Sequence, residues 1–405
     1  MYTAEIELRG HLIDSLILSR VVDAIIDLGG DFEFLETQIG RTKMDSSYAR
    51  VEIGAETCEE LDEILARVHE LGALVANQEE VALAPVEQDG VFPDGFYSTT
   101  NLETFINLSE EWVPVQHIEM DCGIVADREK REALCLPMGE VRRGQLVVIG
   151  RKGIRIAPME RTRHKEVFSF MGSEISSEKP KARVVGEIAR EMKEIREHSG
   201  KILVVAGPAV IHTGAGKHLV ALIRAGYVNV LFAGNAVAVH DVESALFGTS
   251  LGVYLETGAP AAEGHTHHLR AINRIRGLGG LRQAVEAGVL TKGVMHALIT
   301  ENVPFVLAGS IRDDGPLPDV ETDTVRAQSD MRRNTEGVEM ALMLSSMLHS
   351  IATGNLLPAR VKTVCVDINP ATVTKLADRG TFQAIGIVSD VEWFLKELVA
   401  RLIEQ

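Results

Sequence analysis

The chain has 405 residues, 45% of them hydrophobic, which is enough for two or three domains with well-formed cores. Its 58 Asp and Glu outnumber its 41 Lys and Arg, and the resulting formal charge of −17 argues against nucleic acid or an anionic membrane as a partner. The four cysteines form no CxxC pair, and no apolar run has the length of a signal or a membrane span, so we expect a reduced, cytoplasmic protein without a metal centre.

Residues 1–90 alternate between strand-like and amphipathic helical patterns. The order is that of a ferredoxin-like α+β domain, a module that binds amino acids or pairs with copies of itself, although a purely structural role stays open. Thr57 and Glu60 predict a capping box at the second helix. The predicted elements are strands at Thr3–Arg9, Asp31–Ile39, Tyr48–Ile53 and Glu80–Ala84, and helices at Asp14–Leu28 and Cys58–Leu71.

Residues 91–175 change to short strands separated by glycine turns, which predicts a small β-rich subdomain. Within it, Arg142 and Arg143 stand beside Gly144, where a pair of guanidinium groups could grip a substrate carboxylate or simply form an exposed turn. The polar segment SEISSEKPK then marks a domain boundary. The predicted strands are Val115–Glu119, Gly123–Val125, Gln145–Ile149 and Gly153–Ile156.

Residues 182–405 alternate between helices and apolar strands, which predicts a doubly wound, mainly parallel α/β sheet of the nucleotide-binding type. The predicted strands are Lys201–Ala206, Asn229–Ala233, Pro304–Ala308, Val361–Val366 and Gln383–Val388. The predicted helices are Val184–Glu197, His218–Arg224, Val242–Phe247, His267–Gly277, Leu281–Ala287, Val294–Glu301, Gln328–Ile351, Ala371–Asp378 and Asp390–Ile403.

No G-x-G-x-x-G motif follows any strand, so the usual dinucleotide fingerprint is missing. Asp367, however, directly follows a predicted strand, where a carboxylate accepts both hydroxyls of an adenosine ribose and disfavours a 2′-phosphate. This predicts NAD rather than NADP, unless Asp367 only caps the following helix. Asp390 ends the next strand and is predicted to meet the adenine edge, and Gly234 and Asn235 end an earlier strand where backbone can approach a ligand.

The segment Gly309–Asp319 carries three carboxylates and one arginine around a Gly-Pro turn, which suits an ammonium group or a ribose. The run Glu263–His268 resembles a metal-binding pattern but has no third-ligand cluster at suitable spacing, so a proton-transfer role is favoured over a metal site. His212 and His240 are further candidates for proton transfer. Structural histidines remain the alternative for all of them.

Four motifs, GPAVIHTGAG, LFAGNAVAVHD, EGHTHHLRAIN and AGSIRDDGPLPD, resemble those of the archaeal alternative ornithine cyclodeaminases, which also form the C-terminal part of cyanobacterial arginine-degrading bifunctional enzymes. MDCGIVAD and CLPMGEVRRGQLVVIG, in the first 175 residues, resemble the conserved region named after the lysine-ketoglutarate reductase/saccharopine dehydrogenase (LOR/SDH) bifunctional enzyme. The C-terminal half is also similar in layout to the deoxyhypusine synthase-like NAD-binding fold, a Rossmann-like architecture. That layout would account for the missing glycine fingerprint.

The resemblance implies conversion of ornithine to proline and ammonia with NAD that is not consumed. It places the NAD contacts at Asn235, Ala236, Asp314, Met347, Leu348, His349, Asp367, Asp390 and Val391. For catalysis we expect Asp313 or Asp314 to hold the distal ammonium group, and His265 or His268 to act as the base. The predicted partners are a small amino-acid substrate and further copies of the chain, with no nucleic acid and no membrane.

Two other classes of function stay open. One is a different NAD-dependent enzyme, either an amino-acid oxidoreductase with net hydride transfer or an amine transferase. The other is a non-catalytic module that senses an amino acid and NAD.

Overall fold

A computed structural model describes residues 2–10, 12, 17–40, 45, 47–75, 80–157, 181–313, 315–378 and 384–404. These residues fall into two compact units, one within Met1–Ser169 with Leu357–Arg360 and the other within Phe170–Leu356 with Val361–Gln405. No helix in the described ranges is both long enough and apolar enough to cross a bilayer.

The first unit begins with a layer of two helices on an antiparallel sheet of order β2-β3-β1-β4. Alternate residues of the central strands, such as Ile6 and Leu8, pack against Ile25 and Ile64 of the helices. The predicted capping box is confirmed, since the hydroxyl of Thr57 accepts a hydrogen bond from the backbone of Glu60. The elements are β1 (Tyr2–Gly10), α1 (Ile17–Asp27), β2 (Asp31–Gln38), β3 (Ser47–Ala55), α2 (Cys58–Glu70) and β4 (Leu74–Val75).

The rest of the first unit is β-rich, with strand order β11-β6-β7-β9-β8-β10-β5. The sequence analysis missed β6 and β9 and placed β7 four residues too late. The turn between β6 and β7 contains no glycine, so the boundary between these two strands was not recognised. Ser109 and Glu110 form a two-residue hairpin turn with φ angles of 53° and 68°. Turns with two positive φ angles usually have the sequence Asn-Gly, which is the pattern that a sequence search recognises. The strands are β5 (Ala82–Pro85), β6 (Thr104–Leu108), β7 (Glu111–Gln116), β8 (Gly123–Asp127), β9 (Glu132–Leu136), β10 (Leu146–Ile149) and β11 (Ile154–Ile156).

The second unit is a parallel sheet of order β17-β16-β13-β12-β18-β19-β20 with helices on both faces, which confirms the predicted doubly wound fold. Its strands are β12 (Lys201–Ala206), β13 (Val230–Gly234), β14 (Thr249–Ser250), β15 (Val253–Tyr254), β16 (Phe305–Ala308), β17 (Val320–Glu321), β18 (Val338–Leu344), β19 (Lys362–Asp367) and β20 (Ala384–Val388). β14 and β15 form a separate hairpin.

The helices of the second unit are α3 (Lys181–Glu197), α4 (Ala209–His212), α5 (Gly216–Arg224), α6 (Asn235–Phe247), α7 (His267–Leu278), α8 (Leu281–Glu286), α9 (Val294–Thr300), α10 (Thr324–Asn334), α11 (Leu348–Leu356), α12 (Pro370–Asp378) and α13 (Val391–Leu402). α4 was not predicted and lies between the predicted strand Lys201–Ala206 and the predicted helix His218–Arg224. α6 begins at Asn235, seven residues before its predicted start at Val242.

The predicted long helix Gln328–Ile351 is wrong. The structure divides this segment into α10, the buried central strand β18, and α11. Because β18 is covered on both faces, its residues Met340–Leu344 form a continuous apolar run, and Met, Ala and Leu are helix formers when read by propensity alone. Gly337, at φ 75°, ends the turn that separates α10 from β18.

The carboxyl ends of β12 and β18 touch through their backbones. The N–H of Gly207 donates to the carbonyl of Leu344 at 2.8 Å. A Cβ placed on Gly207 would lie 1.8 Å from the carbonyl oxygen of Ser345, so any side chain at this position forces the two strand ends apart.

We therefore expect Gly207→Ala to lower the free energy of unfolding by about 2 kcal/mol or more. Gly277→Ala, on the exposed face of α7 where nothing lies within 4 Å of the added Cβ, is the matched control and should stabilise by about 0.5–1 kcal/mol. Thermal unfolding checks both, and equal melting temperatures for Gly207→Ala and the parent chain would contradict the backbone contact.

Candidate functional site

The strand order reverses direction between β12 and β18. The chain moves outward from β12 through β13 and β16 to β17, then returns to β18 on the other side of β12. In open parallel sheets the ligand crevice lies at such a switch point, outside the carboxyl ends of the strands. Gly207 follows β12 and Ser345 follows β18, so both stand at this crevice. We call the carboxyl ends of these strands and the loops that follow them the rim.

The rim carries large apolar side chains that are open to solvent. Ile311 follows β16, Leu348 follows β18 and Ile368 follows β19, and the last two are 71% and 73% exposed. Met347 is exposed beside Leu348. Apolar side chains clustered at one edge of a sheet suit the flat faces of a ligand's rings.

Two carboxylates stand at the ends of neighbouring strands. Asp367 closes β19, and its Oδ1 accepts the N–H of Asn369 at 2.8 Å. Asn369, not Asp367, caps α12 by accepting the N–H of Ala371 at 3.0 Å. The other carboxylate oxygen of Asp367 has no hydrogen-bond partner in the described part of the chain, so it is available to a ligand.

Asp390 is the N-cap of α13, where its Oδ1 accepts the N–H groups of Glu392 and Trp393 at 2.8 and 3.1 Å. Its side chain is exposed at the rim, next to the end of β20. Val391, the first residue of α13, is buried. The capping bonds explain part of the role of Asp390, and the prediction that it meets the adenine edge stays a prediction.

His349 joins three elements of the rim. Its ring lies over the backbone of Gly234, where an added Cβ would be 3.0 Å from Cε1, and it bonds to the backbone of Ala308 at the end of β16. Burial lowers the pKa of His349, against the opposing effects of that hydrogen bond and of the nearby Asp313 carboxylate. The imidazole is therefore neutral near pH 7 and stands close to Asp313.

Asn235 holds the loop that follows β16. It is the first residue of α6, its side chain is buried, and its Oδ1 accepts the N–H of Leu317 at 3.1 Å. Asp313 shapes the same loop by accepting the N–H of Ser310 at 2.8 Å. Ala236 is half-buried beside Asn235, and Asp314 lies outside the described residues.

The predicted bases His265 and His268 lie after the β14–β15 hairpin. His265 is exposed and His268 is half-buried, and neither side chain hydrogen-bonds to another described residue. Their catalytic roles stay predictions. No group of three or more His, Cys, Asp or Glu side chains in the described ranges is arranged to hold a metal ion.

A second polar cluster lies farther along α6. The carboxylate of Glu243 is fully buried and accepts hydrogen bonds from His240, from Thr249 and from two backbone N–H groups. Thr249 also bonds to Nδ1 of His267 at 2.9 Å. Burial opposes ionisation of Glu243, but the hydrogen bonds from His240, Gly252 and Thr249 outweigh it and lower the pKa of the carboxyl.

His212 completes this cluster. Its ring lies edge-on to that of His240, with centroids 4.6 Å apart, and its Nδ1 bonds to the hydroxyl of Ser250 at 2.7 Å. Burial, aided by repulsion from His240, lowers the pKa of His212 to about 4.

Asp241, next to His240, has a structural task. Its two oxygens accept the N–H groups of Val294 and Met295, each at 2.8 Å, at the start of α9.

Sequence reasoning named His212, His240 and, within the run Glu263–His268, His267, but it missed Glu243 and Thr249. The sequence feature that could have revealed the cluster is the three-residue spacing of His240 and Glu243. This spacing puts both side chains on one face of a helix, provided that the helix includes His240, as α6 does. Because the helix was predicted from Val242, this face was not recognised.

Three family models match the chain. The LOR/SDH bifunctional enzyme conserved region matches residues 3–102, the first C-terminal region of the ArgZ-like arginine dihydrolases matches residues 103–185, and their C-terminal Rossmann fold matches residues 186–398. Together these models cover most of the chain.

Curated and solved proteins agree with these models. A Methanopyrus kandleri protein named ornithine cyclodeaminase is 57% identical over 398 residues, 98% of this chain and 96% of its own length. The crystal structure of a conserved putative LOR/SDH protein from Methanococcus maripaludis is 51% identical, with a TM-score of 0.76 over 80% of this chain and 99% of that one.

A third similar protein is AgrE, the bifunctional arginine dihydrolase/ornithine cyclodeaminase of Nostoc sp.. Its structure as a ternary complex with ornithine and NAD+ is 43% identical, with a TM-score of 0.54 over the whole of this chain and 58% of AgrE. From the family models and the Methanopyrus kandleri relative, which is matched over 96% of its own length, the chain belongs to the archaeal ornithine cyclodeaminase family, which combines an LOR/SDH conserved region with an ArgZ-like Rossmann domain.

Proposed function

We propose that this chain is an NAD-dependent ornithine cyclodeaminase that converts L-ornithine to L-proline and ammonia. The main observation behind the proposal is the rim at the β12/β18 switch point, whose exposed apolar residues and free Asp367 carboxylate oxygen suit a dinucleotide. The Methanopyrus kandleri relative, matched over 96% of its length, is named ornithine cyclodeaminase. The ornithine and NAD+ bound in the AgrE complex support the same pair of ligands here.

The rim residues fit NAD in three respects. The free oxygen of Asp367 would accept a ribose hydroxyl, and its charge would disfavour the 2′-phosphate of NADP. The N-terminal turn of α11, beginning at Leu348, offers the positive end of a helix dipole to the pyrophosphate. Met347 and Ile368 present apolar surface to the rings, and His349, Asn235, Ala236, Asp390 and Val391 complete the proposed contacts.

NAD, when bound, supplies a reversible hydride acceptor for the α-carbon of ornithine. The chain itself must orient the substrate, keep water from the imine and move protons. Asp313, close to the neutral ring of His349, is our candidate for holding the distal ammonium group. Its carboxylate is already oriented by the backbone of Ser310, so it needs little reorganisation to accept a cation.

The first test is turnover with limiting NAD. L-Ornithine incubated with the protein and a small amount of NAD should give proline and ammonia in large molar excess over NAD, without a rise in NADH absorbance. One NADH formed for each product molecule would indicate a dehydrogenase instead. Binding of both ligands without product at any protein concentration would indicate a sensing module.

The second test concerns Asp367. Asp367→Asn keeps the turn with Asn369 but removes the charge, so the Kd for NAD should rise about 10-fold and the preference for NAD over NADP should narrow. Glu339→Gln, at the amino end of β18, is the matched control and should leave both values unchanged. Calorimetry measures these constants, and an unaltered NAD affinity in Asp367→Asn would remove this residue from the site.

We also propose a cytoplasmic homo-oligomer. Support comes from β2, an edge strand on which Phe34 and Leu35 are 40% and 46% exposed. Sedimentation should show a dimer or larger assembly that Leu35→Lys weakens, whereas Ile26→Lys on the exposed face of α1 should not. A parent chain that sediments as a monomer at micromolar concentration would contradict this.

A further inference from the structure

Glu243 is a charged side chain with no exposure at all, and such groups remain ionised only when their hydrogen bonds are complete. Its Oε1 accepts the hydroxyl of Thr249 at 2.9 Å and the N–H of Gly252 at 3.0 Å. Its Oε2 accepts the N–H of Leu251 at 3.2 Å and faces Nδ1 of His240 at 2.9 Å. Thr249, Gly252 and Leu251 all donate to this carboxylate, which can only accept. The fourth partner, Nδ1 of His240, must therefore carry a proton to complete the set.

This arrangement leaves Nε2 of His240 as the basic nitrogen. Nε2 has no hydrogen-bond partner in the described ranges, and the His240 side chain is 11% exposed, so the ring is enclosed but not sealed. A buried carboxylate that fixes the tautomer of an imidazole, with the opposite nitrogen left free, is the geometry of a general base.

The dyad stands beside the rim. His240 follows Gly234 by six residues on α6, or about 9 Å along the helix axis, and Gly234 packs under His349. His212, whose ring contacts that of His240, belongs to α4, which starts two residues after Gly207 at the switch point.

The titratable groups around the His240 ring come from α4, α6 and α7. Glu243 supplies the negative charge, and Thr249 links Glu243 to His267 on α7. His212 stays neutral at physiological pH because burial and then repulsion from His240 depress its pKa. Asp241, on the same helix, is committed to the start of α9.

We propose that His240 is the catalytic base that accepts a proton from an ammonium group of the substrate, and that Glu243 positions it. The inference rests on the proposed function. The α-ammonium must lose its proton first: its N–H bond breaks, the electron pair stays on nitrogen, and an N–H bond forms at Nε2. The imidazolium returns this proton when ammonia leaves, so the dyad is unchanged after a turnover.

This assignment competes directly with His265 and His268. Neither of those rings contacts a carboxylate through a hydrogen bond in the described part of the chain, whereas His240 does. A base without a partner to fix its tautomer and stabilise its cation is a weaker catalyst.

The test is steady-state kinetics with ornithine and saturating NAD on the parent chain and on single-residue variants. His240→Gln should lower kcat by about 100-fold or more while the ornithine KM and the Kd for NAD stay within about 3-fold. His265→Gln and His268→Gln should retain most of the activity. His198→Gln, which removes another histidine–glutamate pair at the amino end of the sheet, is the control and should keep full activity.

Imidazole rescue separates chemistry from folding. His240→Ala should regain activity when imidazole is added, because the cavity and Glu243 remain. Glu243→Gln should have a lower kcat that imidazole does not restore, because His240 is still present but is wrongly oriented. These two variants decide the matter even if His240→Gln is unstable.

The outcomes are distinguishable. A parent chain that makes no proline overturns the proposed function and the dyad's role with it. An active parent with an equally active His240→Gln, a His240→Ala that imidazole does not restore, or a selective loss in His265→Gln or His268→Gln overturns the dyad alone.

Discussion

The backbone contact between Gly207 and Ser345 is the constraint on which the proposed site depends. It brings the ends of β12 and β18 together at the one place where the chain changes direction across the sheet. Ser345 adopts a φ of 49° there and donates its N–H to Val366, which ties β19 to the same point. Of the residues that follow, Met347 and Leu348 are exposed on the rim, where α11 begins, and His349 is half-buried.

This constraint explains how the chain can do without a glycine fingerprint. In the usual dinucleotide fold a glycine-rich turn after the first strand lets backbone approach the pyrophosphate. Here two glycines at strand ends make room for protein groups instead: Gly207 contacts the backbone of Ser345, and Gly234 contacts the ring of His349. Recognition is left to Asp367, to the start of α11 and to exposed apolar side chains, each of which projects from a rigid strand end.

Much of this could be predicted from the sequence, for identifiable reasons. Strands such as β12 and β19 are short apolar runs bounded by turn residues, so their ends, and hence Asp367, could be placed by pattern alone. β18 could not, because a strand buried on both faces has no period and its Met and Leu residues favour a helix out of context. The His240–Glu243 dyad was hidden for a related reason, since an i, i+3 pair has meaning only on a helix whose start is known.

The central claim is that ornithine is oxidised and reduced again within one enclosed site. L-Ornithine carrying deuterium at its α-carbon tests this directly. The α-carbon becomes C2 of proline, and a hydride that leaves this carbon and later returns to it does not exchange with solvent. Mass spectrometry should find the deuterium retained in the proline formed in ordinary water. Loss of the label to solvent would contradict an enclosed return of hydride and, with it, the role given to the rim.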